Sequence, residues 1–150
     1  MRPEIITLLM AMVPVIELRG AIPYGVIAGL DVHVAFILAV IGNLIPIPFL
    51  IVFTRKVFEW LRTKSLRLDR LVCRLEAKAD KNKELVERYK FFGLMLLVAI
   101  PLPGTGAWTG ALVAAMMDMR LKKAMPAIIV GVIIAGIIVT TLTYGAGALF

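Results

Sequence analysis

Residues 5–30 read IITLLMAMVPVIELRGAIPYGVIAGL, and this stretch decides the architecture. Two apolar blocks, Ile5 to Ile16 and Ala21 to Leu30, flank the ionisable break Glu17-Leu18-Arg19-Gly20. With about ten or twelve residues rising about 1.5 Å each, a block reaches only about halfway through a hydrocarbon core of about 30 Å. Pro14, Gly20 and Pro23 surround the break. Proline lacks the backbone donor and glycine tolerates positive φ, so a helix gives way here. The stretch therefore predicts a re-entrant helical hairpin with its tip near the bilayer midplane. Helix ends inside lipid leave N–H and C=O groups without partners, so the tip has to be covered by protein or line a water-filled cavity. The alternative is a pair of core helices in a soluble bundle.

Outward from this stretch the pattern recurs. Phe91 to Ile100 and Ala107 to Met117 form a second pair of short blocks, joined through PLPGTG at 101–106. Only Val32 to Thr54 and Ala124 to Phe150 have the roughly 20 apolar residues that a spanning helix needs. Pro14 precedes Asp31 by the same interval as Pro101 precedes Asp118, and each aspartate stands before a long apolar segment. This predicts an internal repeat, with a one-residue gap needed to align Gly20-Ala21 with Gly106-Ala107.

The composition supports lipid as the main solvent. Hydrophobic residues make up 61% of the 150, with mean hydropathy +0.94, against roughly 45–50% in soluble domains. The expected fold is an all-α integral membrane protein forming a single domain over 1–150. It divides into repeat 1 (1–54), a cytoplasmic amphipathic helical linker (55–90) and repeat 2 (91–150). Each repeat is a re-entrant hairpin plus one transmembrane helix. If each hairpin returns to the side it entered, the first span carries the chain across and the two repeats are inverted.

The net charge of +7 comes mostly from Arg55 to Lys90. On the inverted model this stretch shares one side with Asp118-Met119-Arg120-Leu121-Lys122-Lys123, while Arg2, Glu4, Asp31 and the C-terminus share the other. The positive-inside rule makes the basic side cytoplasmic. A multi-pass protein of the cell (plasma) membrane with both termini outside follows, and the charge distribution gives no reason to expect nucleic acid as a partner. Glu4 spoils a signal-peptide n-region and no small-x-small cleavage site precedes the charged pair, so the first segment is expected in the mature fold. Cys73 is the single cysteine, which rules out an internal disulfide or a thiolate cluster.

In the linker, Val57, Trp60, Leu61, Leu68, Leu71, Val72, Leu75, Leu85, Val86 and Tyr89 fall near helical spacing. This amphipathic helix or helical hairpin reads either as a solvated connector, with pairs such as Glu84 and Arg88, or as a surface for anionic lipid or a partner.

Glu17 and Arg19 are the only Asp, Glu, Lys or Arg residues within the two hairpin stretches, 5–30 and 91–117. A charge at the membrane centre costs about 2.5–3.5 kcal/mol on insertion scales, so each needs a partner or a purpose. One reading is a structural ion pair that locks the tip. The other assigns Arg19, a rigid and permanently charged fork, to an anionic group, and Glu17 to proton relay. Burial favours the neutral carboxyl and Arg19 the charged one, so an anion competing for Arg19 would change the balance. PLPGTGAW adds exposed backbone. Gly104 and Gly106 allow close approach, Thr105 supplies a hydroxyl, and the start of the Ala107 helix directs its dipole into the membrane, an anion cradle opposite Arg19. Gly20, Pro101 and Pro103 shape the tips, and Trp108 either lies beside the site or packs. The candidate substrate-binding and proton-coupling set is thus Glu17, Arg19, Gly20, Pro101, Pro103, Gly104, Thr105, Gly106 and Trp108.

Asn43, Pro46 and Pro48 are expected to kink the first span, and they could also expose a carbonyl to the cavity. His33 fits an interfacial position at the start of that span, with proton entry as the functional reading. Gly131, Ala135 and Gly136 predict close packing of the last helix. No catalytic set is expected: there is one histidine and one cysteine, far apart in the topology, with no metal-binding cluster, no phosphate loop and no cofactor signature.

At PVIELRGAIPYG (14–25), PLPGTGAWTGALVA (101–114) and the following aspartate, the chain resembles the small multidrug export proteins over nearly its whole length. That family looks related to the larger DedA membrane proteins, lipid transporters or scramblases that include carriers of undecaprenyl phosphate and share opposed re-entrant hairpins. The resemblance implies that Glu17 and Arg19 match the acidic and basic positions of the first motif. The second tip departs from the DedA pattern, which has arginines flanking it, because PLPGTGAW has none. The expected function is DedA-like transport of an anionic or amphiphilic substrate, such as an undecaprenyl-phosphate-like lipid phosphate, driven by protons. Export of small-molecule drugs, a channel, and a membrane scaffold are the alternatives. Expected partners are membrane lipids, the substrate, protons and a second copy in a homodimer.

Overall fold

The computed structural model describes residues 2–64, 66–67, 69–70, 73 and 83–145, with the side chains of 83–87 excepted. Among the described residues every regular element is a helix. In chain order these are α1 (Pro3–Met12), α2 (Glu17–Ile27), α3 (Val32–Leu44), α4 (Ile47–Lys64), α5 (Lys83–Ala99), α6 (Ala107–Met116) and α7 (Leu121–Tyr144).

Two stretches, Val32–Lys64 and Leu121–Tyr144, are long and apolar enough to cross a bilayer, while Pro3–Met12 and Ala107–Met116 are short apolar helices. The first span is not one uninterrupted helix. Ile45 and Pro46 separate α3 from α4, because Pro46 and Pro48 have no N–H to offer the carbonyls of Gly42 and Leu44. The span also runs past Thr54 to Lys64.

The break in the first hairpin lies one turn earlier than its charges suggest. The non-helical residues are Val13 to Ile16, and Glu17-Leu18-Arg19-Gly20 form the first turn of α2. Glu17 itself carries the left-handed conformation (φ 46°). In the second hairpin the left-handed residue after the proline is Gly104 (φ 84°). Both stand three residues after the first proline of their turn, Pro14 and Pro101.

Packing repeats between the halves. α1 packs on α2 and both pack on α3, while α5 packs on α6 and both pack on α7. Each span also reaches the hairpin of the other half, α4 against α6 and α7 against α2. Both second arms end in the same backbone motif. The Leu30 N–H donates to Gly25 O with Gly29 at φ 95°, and the Met119 N–H donates to Ala114 O with Asp118 at φ 51°. Glycines allow the closest approaches: a Cβ on Gly42 would overlap the Leu8 carbonyl, and one on Gly131 would meet Val98 and the Met95 carbonyl.

The core joins both halves. Ala11, Ile22, Ala39 and Ile47 from the first pack in one cluster with Val98, Ala111, Ile128 and Val132 from the second. Large apolar side chains such as Phe49, Phe53 and Leu96 remain exposed. That is expected where the surrounding solvent is hydrocarbon and not water.

Arg55, Lys90 and the end of α6 meet at one end of the molecule. Arg55 Nη2 pairs with Asp118 Oδ1 at 3.0 Å and donates to Met119 O at 2.8 Å, while Lys90 Nζ donates to Met117 O at 3.1 Å. These cations satisfy carbonyls at the negative end of α6. Toward the opposite end, the Tyr144 hydroxyl donates to Pro23 O at 3.4 Å. Much of the amphipathic linker pattern, including Leu68, Leu71, Val72 and Leu75, lies outside the described residues.

Candidate functional site

The two hairpin tips meet. α6 begins at Ala107 after Gly106, whose φ of 119° admits no ordinary side chain without strain. The first amides of a helix lack internal acceptors and carry the positive end of its dipole. The structure places the chain's own Glu17 carboxylate there. Glu17 Oε1 accepts the Trp108 N–H at 3.4 Å, and the carboxyl lies so close to Gly106 that a Cβ would overlap it.

Arg19 supplies a second link between the tips. Its Nη2 donates to the Thr105 carbonyl at 2.8 Å and stands 4.0 Å from Glu17 Oε2. Glu17 is buried, with a side chain 6% exposed, while that of Arg19 is 28% exposed. The indole of Trp108 makes the third link, donating from Nε1 to Met12 O at 3.2 Å. The carboxylate, the guanidinium and the indole thus tie the end of α1 and the start of α2 to the start of α6.

The other predicted residues divide by what they touch. Pro101 and Gly106 line a small cavity with Glu17 and Arg19. The Thr105 hydroxyl stays within its own loop, between the carbonyls of Ile100 and Leu102, and only its carbonyl faces Arg19. Gly104 turns the loop and has open space where a Cβ would stand, and its carbonyl accepts from the Thr109 hydroxyl at 3.0 Å. Gly20 packs against the Ile16 side chain inside α2, and Pro103 belongs to the loop before α6. His33 is at the exposed start of α3, where its backbone N–H caps onto Asp31 Oδ1 at 2.8 Å.

One lining residue is expected from the sequence to kink the first span or expose a carbonyl to the cavity, and its side-chain amide is not expected at the site. Asn43 is 1% exposed, its side chain faces the same cavity as Glu17, and Oδ1 has no hydrogen-bond partner. The signal was available: an amide in the middle of an apolar span incurs the same kind of desolvation cost that singles out Glu17.

Beside the tips runs a larger apolar groove of about 910 Å³, with Met12, Pro46, Phe49, Phe53 and Trp108 among its walls and Lys56 as their one charged side chain. Trp108 and Met12 join this groove to the linked tips. Among the described residues no group of three or more metal-ligating side chains comes together.

A family model described as "Putative small multi-drug export protein" matches residues 17–138. The chain belongs to this family. The match runs from Glu17 at the start of α2 through the first span and the second hairpin turn into the last span, and leaves out α1, the 13–16 break and the end of α7. Comparison with curated proteins and with solved structures gives no match. Family membership and the two apolar spans together describe a membrane exporter.

Proposed function

We propose that this exporter carries an anionic amphiphile, of the lipid-phosphate kind, through a midplane site formed by the two hairpin tips. Proton exchange at Glu17 drives the step. The observation that carries the reading is the link between the tips, because Arg19 and the start of α6 are held by acceptors that a substrate anion can replace. An incoming phosphate or carboxylate would take the Arg19 fork from the Thr105 carbonyl and compete with Glu17 for the α6 amides. The displaced carboxylate then becomes free to take up a proton. The groove suits the rest of such a molecule, since its walls are apolar and its one charge is the cation Lys56.

The architecture behind this reading is a pair of inverted repeats, each a re-entrant hairpin and a span. Its support is the equal Pro14–Asp31 and Pro101–Asp118 intervals, the matching packing within each half and the matching ends of α2 and α6. Arg55, Lys90 and Asp118 then mark the cytoplasmic face, with both termini outside. A homodimer would cover exposed apolar side chains such as Phe49 and Phe53. The chain acts as a transporter and not as an enzyme.

Export of small-molecule drugs is the second reading and rests on the family description. Reconstituted vesicles separate the two. Transbilayer movement of a fluorescent phosphatidic acid and efflux of ethidium are followed with and without a pH gradient. Gradient-dependent movement of the lipid is expected, lost in Arg19→Ala and uncoupled from pH in Glu17→Gln. Ethidium efflux without lipid movement supports the second reading, and unchanged rates in both variants remove the site.

A further inference from the structure

Glu17 and Asn43 come from different elements, α2 and α3, yet line one cavity of about 10 Å³. That is room for about one water. On the polar side of this cavity one acceptor is unmatched. Asn43 Oδ1 is a buried acceptor without a donor, and an ionised carboxylate is an acceptor as well. Arg19 is the one cation among its walls, and it is engaged by the Thr105 carbonyl and the Glu17 carboxylate. The remaining walls offered by α5, α6 and α7, among them Val98, Ala107, Val132 and Val139, carry no charge and no side-chain donor. An acceptor left unmade in such a place costs about 1–3 kcal/mol. It is therefore best explained by a donor that occupies the cavity in another state of the protein.

A second metal-like cation fits poorly. The cavity already has Arg19 in its wall and the positive end of α6 beside it. A neutral donor fits, and two are at hand: the O–H of a protonated Glu17, and one water.

We propose that Asn43 is the positioning residue for the proton on Glu17: when the carboxyl is protonated, its O–H is held by Asn43 Oδ1, directly or through one water in the shared cavity. This rests on the reading of Glu17 as the proton-exchanging group and adds where the proton is held. The ionised and protonated forms then have different partners. The carboxylate binds the start of α6 on one hairpin, whereas the acid binds α3, so proton uptake exchanges a bond between the hairpins for a bond to the first span. No covalent bond other than O–H is made or broken, and the proton comes from water.

The test is pH-difference infrared spectroscopy of the purified full chain in lipid vesicles. A protonated-carboxyl band abolished by Glu17→Gln identifies the group. In Asn43→Leu this band moves to higher wavenumber, because the O–H has lost its acceptor, while Asn43→Ser, which keeps an acceptor, leaves it near the original position. Asn43→Ala makes the same test without added bulk if the leucine variant does not fold. A Glu17 band that stays in place in the leucine or alanine variant overturns the role of Asn43 while leaving Glu17 as proton carrier. If no band depends on Glu17 at any pH, both ideas fall. A band that moves with sodium concentration at constant pH overturns the proposal in favour of a cation site.

Discussion

Glu17 and Trp108 are 91 residues apart in sequence, and the carboxylate of the first accepts the backbone N–H of the second at 3.4 Å. Half of an ion pair on one hairpin is therefore also the cap of a helix on the other. Gly106 makes this possible by presenting no side chain where the carboxyl lies.

Gly106→Ala is accordingly expected to destabilise the protein by about 2–4 kcal/mol, combining strain at φ 119° with overlap on Glu17. Gly104→Ala has strain at φ 84° but open space around it, and should cost only about 1 kcal/mol. Thermal unfolding of the two detergent-solubilised variants checks the order. Equal losses would show that the carboxyl does not occupy this place.

Replacing Arg19 separates reach from charge. Arg19→Ala leaves the Thr105 carbonyl and a 5%-exposed Glu17 without their cation, for an expected loss of about 2–3 kcal/mol. Arg19→Lys keeps the charge, but its shorter ammonium stops short of the place of Nη2, the one nitrogen that meets both acceptors, and should recover less than half of the loss. Denaturation midpoints in one detergent measure both, and full recovery by lysine would make the contact one of charge alone.

At the basic end, the Arg55–Asp118 pair should contribute little despite its 3.0 Å separation, because the Asp118 side chain is 67% exposed. A double-mutant cycle with Arg55→Ala and Asp118→Ala is expected to give a coupling below about 1 kcal/mol. Arg55→Ala alone should cost more than Asp118→Ala, since it also removes the donor to Met119 O. A large coupling that persists in high salt would contradict this account.

Glycines in the spans should differ by what faces them. Gly42→Ala sets a methyl against the Leu8 carbonyl, backbone that can yield only if α1 moves, and an expected cost is about 1–3 kcal/mol. Gly136→Ala meets the far end of the Phe36 ring, which can turn, so a change under about 1 kcal/mol is expected. Unfolding of the two variants side by side distinguishes them.

Much of this arrangement could be read from residue types and spacing. The two long apolar stretches, the paired short blocks and the isolation of Glu17 and Arg19 follow from hydropathy and from the cost of charge in lipid. The position of the first break did not follow. Charges and Gly20 drew it to residues 17–20, whereas the helix resumes at Glu17 because a left-handed residue there restarts it. Nor did the sequence reveal which anion fills the start of α6. Glu17 and Trp108 are joined only through tertiary packing, and a sequence shows donors and acceptors without their pairing. Asn43 looked like a kink residue for the same reason: Pro46 and Pro48 nearby explain a bend, so the direction of its amide carried no separate signal.

Trp108 has a consequence of a mechanical kind. Its ring forms part of the groove wall and holds the Met12 carbonyl, while its backbone holds Glu17. Any displacement of the ring from the groove wall would therefore strain both bonds at once, so that Trp108 couples the groove to the joint between the two tips as a lever does.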